Sequence, residues 1–226
     1  MLLVSQSFRL YPHLSAYNEY NVVLDYEPFD MGGETMIPMP ILETDRLFLR
    51  RPELTDAADV QDYLQERQIA ANTLHIPFPY PNGAAEAWVV RTHNAYDAGE
   101  ACSFAIIHKD ENRIIGAVAL RLDIEHRRAE LGYWVGKPYW NKGYASEAAE
   151  RLISYGFEVL GLNRIHATYF ADNPASERVM QKIGMRYEGL MRQYYLKWGE
   201  FRDTGLYAIT RSDYEAALTG GWSLKS

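Results

Sequence analysis

Residues 129–170 carry the pattern that most constrains this chain. "AELGYWV" reads as a strand, and a helix-period segment follows over roughly 145–160, with Ala148, Ala149, Leu152, Ile153, Gly156 and Leu160 on one inward stripe. After Gly161, "RIHATYF" reads as a second strand. A strand, a crossover helix and a strand imply a parallel pair joined right-handedly.

The flanking segments supply the rest of an α/β fold. "RLFLRR" alternates as a strand, and "TDAADVQDYLQER" repeats Ala57, Val60 and Leu64 at helical spacing behind a capping Thr55 or Asp56. In "HIPFPYPNG", Pro77, Pro79 and Pro81 forbid a regular helix and stiffen an extended loop. That loop is either a connector or, with Phe78 and Tyr80, the wall of a pocket. "AAEAWVVRTHNAYDAG" reads as a helix ending near Gly99, and "SFAIIH" and "RIIGAVALRL" flank the turn "KDEN" as an antiparallel hairpin. The expected architecture is a mixed sheet with helices on both sides.

Residues 1–38 differ in character. They are rich in Tyr and Phe, contain a "MGG" break and show no helix period. Two readings stand: an arm packed on the body, or a start-site artefact, since Met36 and Met39 immediately precede the first regular segment, which begins at Ile41.

Two helix starts point to a ligand. "YWNKGYASEA" places a cationic, glycine-containing corner before the helix that follows the first strand of the parallel pair. The free N–H groups and positive end of a helix hold an anion, Gly143 lets backbone approach a phosphate, and Lys142 adds charge. In "ADNPASERVMQKIGM", Asn173 is an N-cap, Pro174 suits the first helical position and Gly184 suits the position after the helix. Both helices start just beyond the carboxyl ends of neighbouring strands, where ligands of open α/β sheets sit.

Composition removes several alternatives. A net charge of -7 argues against a protein that tracks nucleic-acid phosphates and better suits a cationic or amine partner. The single cysteine, Cys102, excludes an internal disulfide or a cysteine-based zinc site and points to a reducing compartment; within "ACSFAII" it reads as a buried apolar residue rather than a nucleophile. His75, His93, His108, His126 and His166 lie in separate segments without ligand spacing, so no metal site is expected. No apolar stretch approaches a membrane span, and a cytoplasmic location is expected.

From about Thr44 to Thr210 the sequence resembles the GNAT superfamily of acetyl-CoA-dependent N-acetyltransferases, in the branch related to the ribosomal-protein acetyltransferases RimJ and RimL. The carrying stretches are "TDRLFLRRPELTDAADV", "IPFPYPN", "RIIGAVAL", "AELGYWVGKPYWNKGYASEA", "NPASERVMQKIGM" and "KWGEFRDTGLYAI", in family order. The resemblance implies one GNAT domain over 39–226, with a mostly antiparallel sheet that splays open at its parallel pair. It implies that acetyl-CoA lies in that opening, with the backbone of Trp134, Val135 and Gly136 on the pantetheine arm. The amides of Asn141, Lys142, Gly143, Tyr144 and Ala145 would hold the pyrophosphate, and Asn173 and Ser176 would face the cofactor. The family motif usually begins with Gln or Arg, where this chain has Trp140.

The chemistry then needs three groups. A base or water chain must take the amine's proton, for which Glu130 is the candidate, although it also continues the charge run "EHRRAE". An oxyanion needs a donor, by analogy the amide near Val135. The departing thiolate needs a proton or hydrogen bond; the tyrosine many relatives use falls here at Met180, so Ser176 is the substitute. Phe78, Tyr80, Tyr194 and Tyr195, with Trp198, are candidates to border the acceptor, or else core and hairpin surface. The acceptor is a protein N-terminal amine or a small-molecule amine such as a polyamine, antibiotic or metabolite. A non-catalytic acyl-CoA-binding module is the third reading, and the chain is expected as monomer or homodimer.

Overall fold

The structure is a computed structural model that describes residues 39–219; the reading of residues 1–38 as arm or artefact lies outside the described residues. Eight strands form one sheet: β1 (Leu42–Glu43), β2 (Leu47–Arg50), β3 (Ala101–His108), β4 (Arg113–Asp123), β5 (Arg128–Val135), β6 (Arg164–Phe170), β7 (Arg186–Lys197) and β8 (Glu200–Thr210). Their spatial order is β1-β2-β3-β4-β5-β6-β8-β7. Every pairing is antiparallel except β5 with β6. The helices are α1 (Ala57–Leu64), α2 (Arg67–Ala71), α3 (Ala84–Asp97), α4 (Tyr144–Glu158), α5 (Pro174–Lys182) and α6 (Arg211–Thr219).

Period-two alternation sends the two faces of the sheet into different cores. On β3, Cys102, Phe104 and Ile106 join α4 residues such as Ala148, Leu152 and Ile153. Ala105 and Ile107 of the same strand pack with Val60, Leu64 and Ala85 beneath α1 and α3. Both faces are therefore covered, as a sheet containing a buried parallel pair requires. The inward stripe expected on α4 is buried at Ala148, Ala149, Leu152, Ile153 and Gly156.

Three local differences from the sequence reading have physical causes. The expected helix over 55–67 breaks at Gln65, and Glu66 restarts it as α2 by accepting the Gln68 amide at 3.3 Å. Of the two expected caps it is Asp56, not Thr55, that stands at the N-cap of α1; in the turn before it Glu53 and Asp56 form a reciprocal capping box, with Asp56 held further by Arg50 through two contacts of 2.8 Å. The segment after Gly184 is a long hairpin, and its second strand β8 slips between β6 and β7. Trp198 and Gly199 turn it, both at positive φ (52° and 86°), which makes a tight two-residue connection of the kind that matches strand twist.

Candidate active site

The parallel pair β5–β6 holds together over only three registers, Arg128 with Arg164, Ala129 with Ile165 and Glu130 with His166. Beyond Glu130 the strands part. Each keeps its outer neighbour: β5 stays on β4 through Val135, and β6 stays on β8 along its whole length. The inner edges thus lack a strand partner, and alternate backbone N–H and C=O groups face the gap. That fork opens onto a cavity on each side of the sheet.

One cavity, of about 300 Å³, lies toward α4 and α5. Trp134, Val135, Asn141, Gly143, Tyr144, Ala145, Asn173 and Ser176 all line it. α4 begins at Gly143, whose φ of 85° an L side chain resists, and no side chain caps the helix. Its first-turn amides, without intrahelical partners, are left for an anion. Arg46 shapes this corner from β2's approach: Nη1 donates to the Lys142 carbonyl at 3.0 Å, Nε to Glu147 at 2.7 Å, and the guanidinium sits over the Tyr144 ring. Glu147, the acidic residue of the first turn, is thereby neutralised by Arg46 rather than opposing an anion.

Trp140 and Lys142 behave differently from a phosphate-gripping pair. The Trp140 indole donates to the Val135 carbonyl at 2.6 Å, so the residue in place of Gln or Arg ties the loop to β5. The Lys142 ammonium lies 5.3 Å from the Tyr139 ring centroid and does not line the cavity. Gly136 does not line it either; a Cβ there would stand 2.9 Å from the Tyr63 ring, so its glycine serves packing.

The second cavity, of about 380 Å³, lies on the opposite face, toward α3 and the proline loop. Its floor is a cross-strand row of small residues, Ser103, Ala119 and Gly132, and a Cβ on Gly132 would meet nothing within 4 Å. Glu130 lies at the base of the fork on this side, with its carboxylate 3.2 Å from Arg121 and accepting from Thr168 at 3.5 Å. His166, its register partner, has a pKa lowered by burial, against the raising influence of Glu130.

Long-range contacts build the wall of this cavity. Buried Lys197, on β7, donates to the carbonyls of Leu74 and Ile76 at 3.1 Å each, and burial holds its ammonium below the usual lysine value. The neighbouring Trp198 packs against Phe78, with Arg67 at 4.9 Å from its ring centroid. Of the aromatic candidates, only Tyr195 lines the cavity. Phe78 sits behind the wall on Trp198, Tyr194 is exposed beside Tyr195, and Tyr80 is a core side chain, 5 % exposed, packed with α1. Leu74, His75 and Ile76 line the cavity instead, a displacement by a few residues that chain composition gave no sign of.

The two cavities share Asn72, Thr73, Tyr133, Trp134 and Ser176. Ser176 is therefore at the passage between them, its amide donating to the N-cap Asn173 at 3.3 Å. Asn173 is a cap by geometry and lines the α5 side as well. Tyr133, absent from the sequence-derived candidates, sits beside Ser176 with its hydroxyl 2.8 Å from Oγ. Among the described residues no group of three metal-ligating side chains could hold an ion, and no helix is long and apolar enough to cross a membrane.

The molecule is thus an open α/β sheet that parts at one parallel pair, with an uncapped helix start at the mouth and a second cavity behind. Residues 46–186 match the model of the acetyltransferase (GNAT) domain, and the chain belongs to this family of N-acetyltransferases. It is 35 % identical over 175 residues to the uncharacterized N-acetyltransferase YoaA of Bacillus subtilis, covering 76 % of this chain and 97 % of that protein. It is 28 % identical over 198 residues to the ribosomal protein uS5-alanine N-acetyltransferase of Escherichia coli, covering 81 % and 97 %. A GNAT-family acetyltransferase structure from Bacillus anthracis superposes with a TM-score of 0.69 at 30 % identity, covering 76 % of this chain and 99 % of that one.

Proposed function

We propose that this chain, as a single acetyltransferase unit over 39–226, moves an acetyl group from acetyl-CoA to a protein N-terminal amine, as a cytoplasmic enzyme of the RimJ/RimL type. The observation that carries the reading is the fork with a cavity on each side, meeting at Ser176 and Trp134. Donor and acceptor then approach from opposite faces and react directly in a ternary complex. Cys102 is not an acyl-carrying nucleophile between them: it is 2 % exposed and its thiol is pushed up to about 12 by burial. The relation to the uS5-alanine enzyme supports a peptide amine as acceptor.

Acetyl-CoA supplies the activated acyl group as a thioester. The β5 backbone at Trp134 and Val135, which line the α4-side cavity, orients its arm, and the α4 amides from Gly143 to Ala145 take its pyrophosphate. Because Lys142 points away and Trp140 is tied to Val135, backbone amides carry that contact. On the other face Glu130, ion-paired with Arg121, receives the amine's proton through water. The amide near Val135 faces the oxygen on which charge develops. Ser176 gives the departing sulfur a proton.

The test is turnover with acetyl-CoA and a panel of N-terminal peptides and small amines, read by mass spectrometry beside CoA release. Acetylated peptide is expected. Acetylation of a polyamine or other small amine alone would overturn the protein acceptor and keep the reaction. CoA binding with no product from any amine would favour a non-catalytic module. Ser176→Ala and Glu130→Gln should each cut kcat by about 10² with the acetyl-CoA Kd nearly unchanged.

A further inference from the structure

The phenol missing from α5 is present, on the sheet. Position 180, where α5 would carry a tyrosine toward the sulfur, is a methionine 1 % exposed. Tyr133 occupies β5 just past its last β6-paired residue, on the same face as Ala129, Leu131 and Val135, toward α4 and α5. Its hydroxyl spans to α5, 2.8 Å from Ser176 Oγ and 3.2 Å from the Ser176 carbonyl oxygen. The residue lines both cavities.

Two hydrogen arrangements fit these distances. If the phenol donates to the Ser176 carbonyl, the serine hydroxyl is free to donate back to the phenol oxygen, and its hydrogen points away from the passage. If the phenol donates to Ser176 Oγ, the serine keeps its own hydrogen for a third group. A hydroxyl has one hydrogen and two acceptor sites, so the neighbour that fills one acceptor site decides where the hydrogen goes. Burial pushes the Tyr133 hydroxyl up to about 12, which keeps it a donor throughout the working range.

We propose that Tyr133 is the positioning residue that aims Ser176: its O–H donates to Ser176 Oγ and turns the serine hydrogen toward the departing thiolate. The proposal rests on Ser176 being the proton donor. In that step the acceptor nitrogen forms its bond to the acetyl carbon and the C–S bond breaks, with its electron pair passing to sulfur. The amine's proton leaves through Glu130 to water, the sulfur takes the Ser176 proton, and solvent restores the serine after CoA departs. Tyr133 keeps its proton and lends a hydrogen bond to the serine oxygen while charge passes over it, a contact strengthened by the buried setting.

The experiment is a double-mutant cycle on the full chain, reading kcat and the acetyl-CoA Kd for Tyr133→Phe, Ser176→Ala and the pair. The phenylalanine keeps the ring and removes only the hydroxyl. Expected are a kcat loss of about tenfold for Tyr133→Phe with Kd within twofold, a larger loss for Ser176→Ala, and a pair no worse than Ser176→Ala alone. Unchanged kcat in Tyr133→Phe beside a loss in Ser176→Ala would overturn the positioning role and leave the serine in place. Additive losses, or a Tyr133→Phe loss matched by an equal fall in acetyl-CoA affinity, would overturn it too. Unchanged kcat in Ser176→Ala would remove the donor itself, and the positioning role with it.

Discussion

The two sides of the fork are built by opposite means. On the α4 and α5 side, a glycine at positive φ, an uncapped helix start and an asparagine cap each arise from a few consecutive residues. On the other side, the wall at Leu74–Ile76 exists because Lys197, more than a hundred residues later, binds two of its carbonyls. Under the proposed function, the acetyl-CoA side is the one held by local backbone geometry, and the acceptor side is the one bounded by a loop and a hairpin, the segments that vary most readily without disturbing the sheet.

This contrast can be broken from either side. Gly143→Ala forces an L residue into the left-handed region at the start of α4, with Arg46 Nη2 3.5 Å from the new Cβ. At about 1–2 kcal/mol of strain, acetyl-CoA should bind about tenfold more weakly, with the acceptor KM unchanged, by calorimetry and steady-state kinetics. An equal change in both constants would show that the two sides are not independent.

Lys197→Met should do the reverse. It leaves the Leu74 and Ile76 carbonyls without their donor and frees the loop from the hairpin. The acceptor KM should rise about fivefold while acetyl-CoA affinity holds, and limited proteolysis should cut sooner within 74–83.

The smallest effect belongs to the hinge between the sides. His166 pairs with Glu130 at the base of the fork, and burial lowers its pKa below the ordinary value of about 6.5. Below that value the unfolded chain takes up a proton that the folded chain resists, so stability falls as pH falls from about 6.5 through the lowered folded value. Melting temperatures of the wild type and His166→Gln, compared between neutral and mildly acidic pH, should converge as the pH drops. A parallel pair of curves would assign no linkage to this histidine.

Much of the fold was legible in the chain. Periodicity located β3, β4, β5, α4 and β6, and the Asn173, Pro174 and Gly184 signals bounded α5 because caps are local chemistry. The acceptor side was harder. Tyr80 and Tyr195 look alike in sequence, yet one is packed under α1 and the other lines a cavity, because burial depends on which element crosses above. Tyr133 is illegible for a related reason: within "AELGYWV" it reads as one more strand aromatic until α5 brings Ser176 to its hydroxyl.

The sequence by itself determined the parallel crossover, the two helix starts at the mouth of the fork, and the family to which they belong, since each is carried by short stretches of neighbouring residues. The tertiary structure alone decided three things: where β5 and β6 part, that β8 rather than β7 supports the far strand, and that Lys197 holds the Leu74–Ile76 wall of the second cavity. Those depend on residues far apart in sequence, whose meeting no local preference encodes.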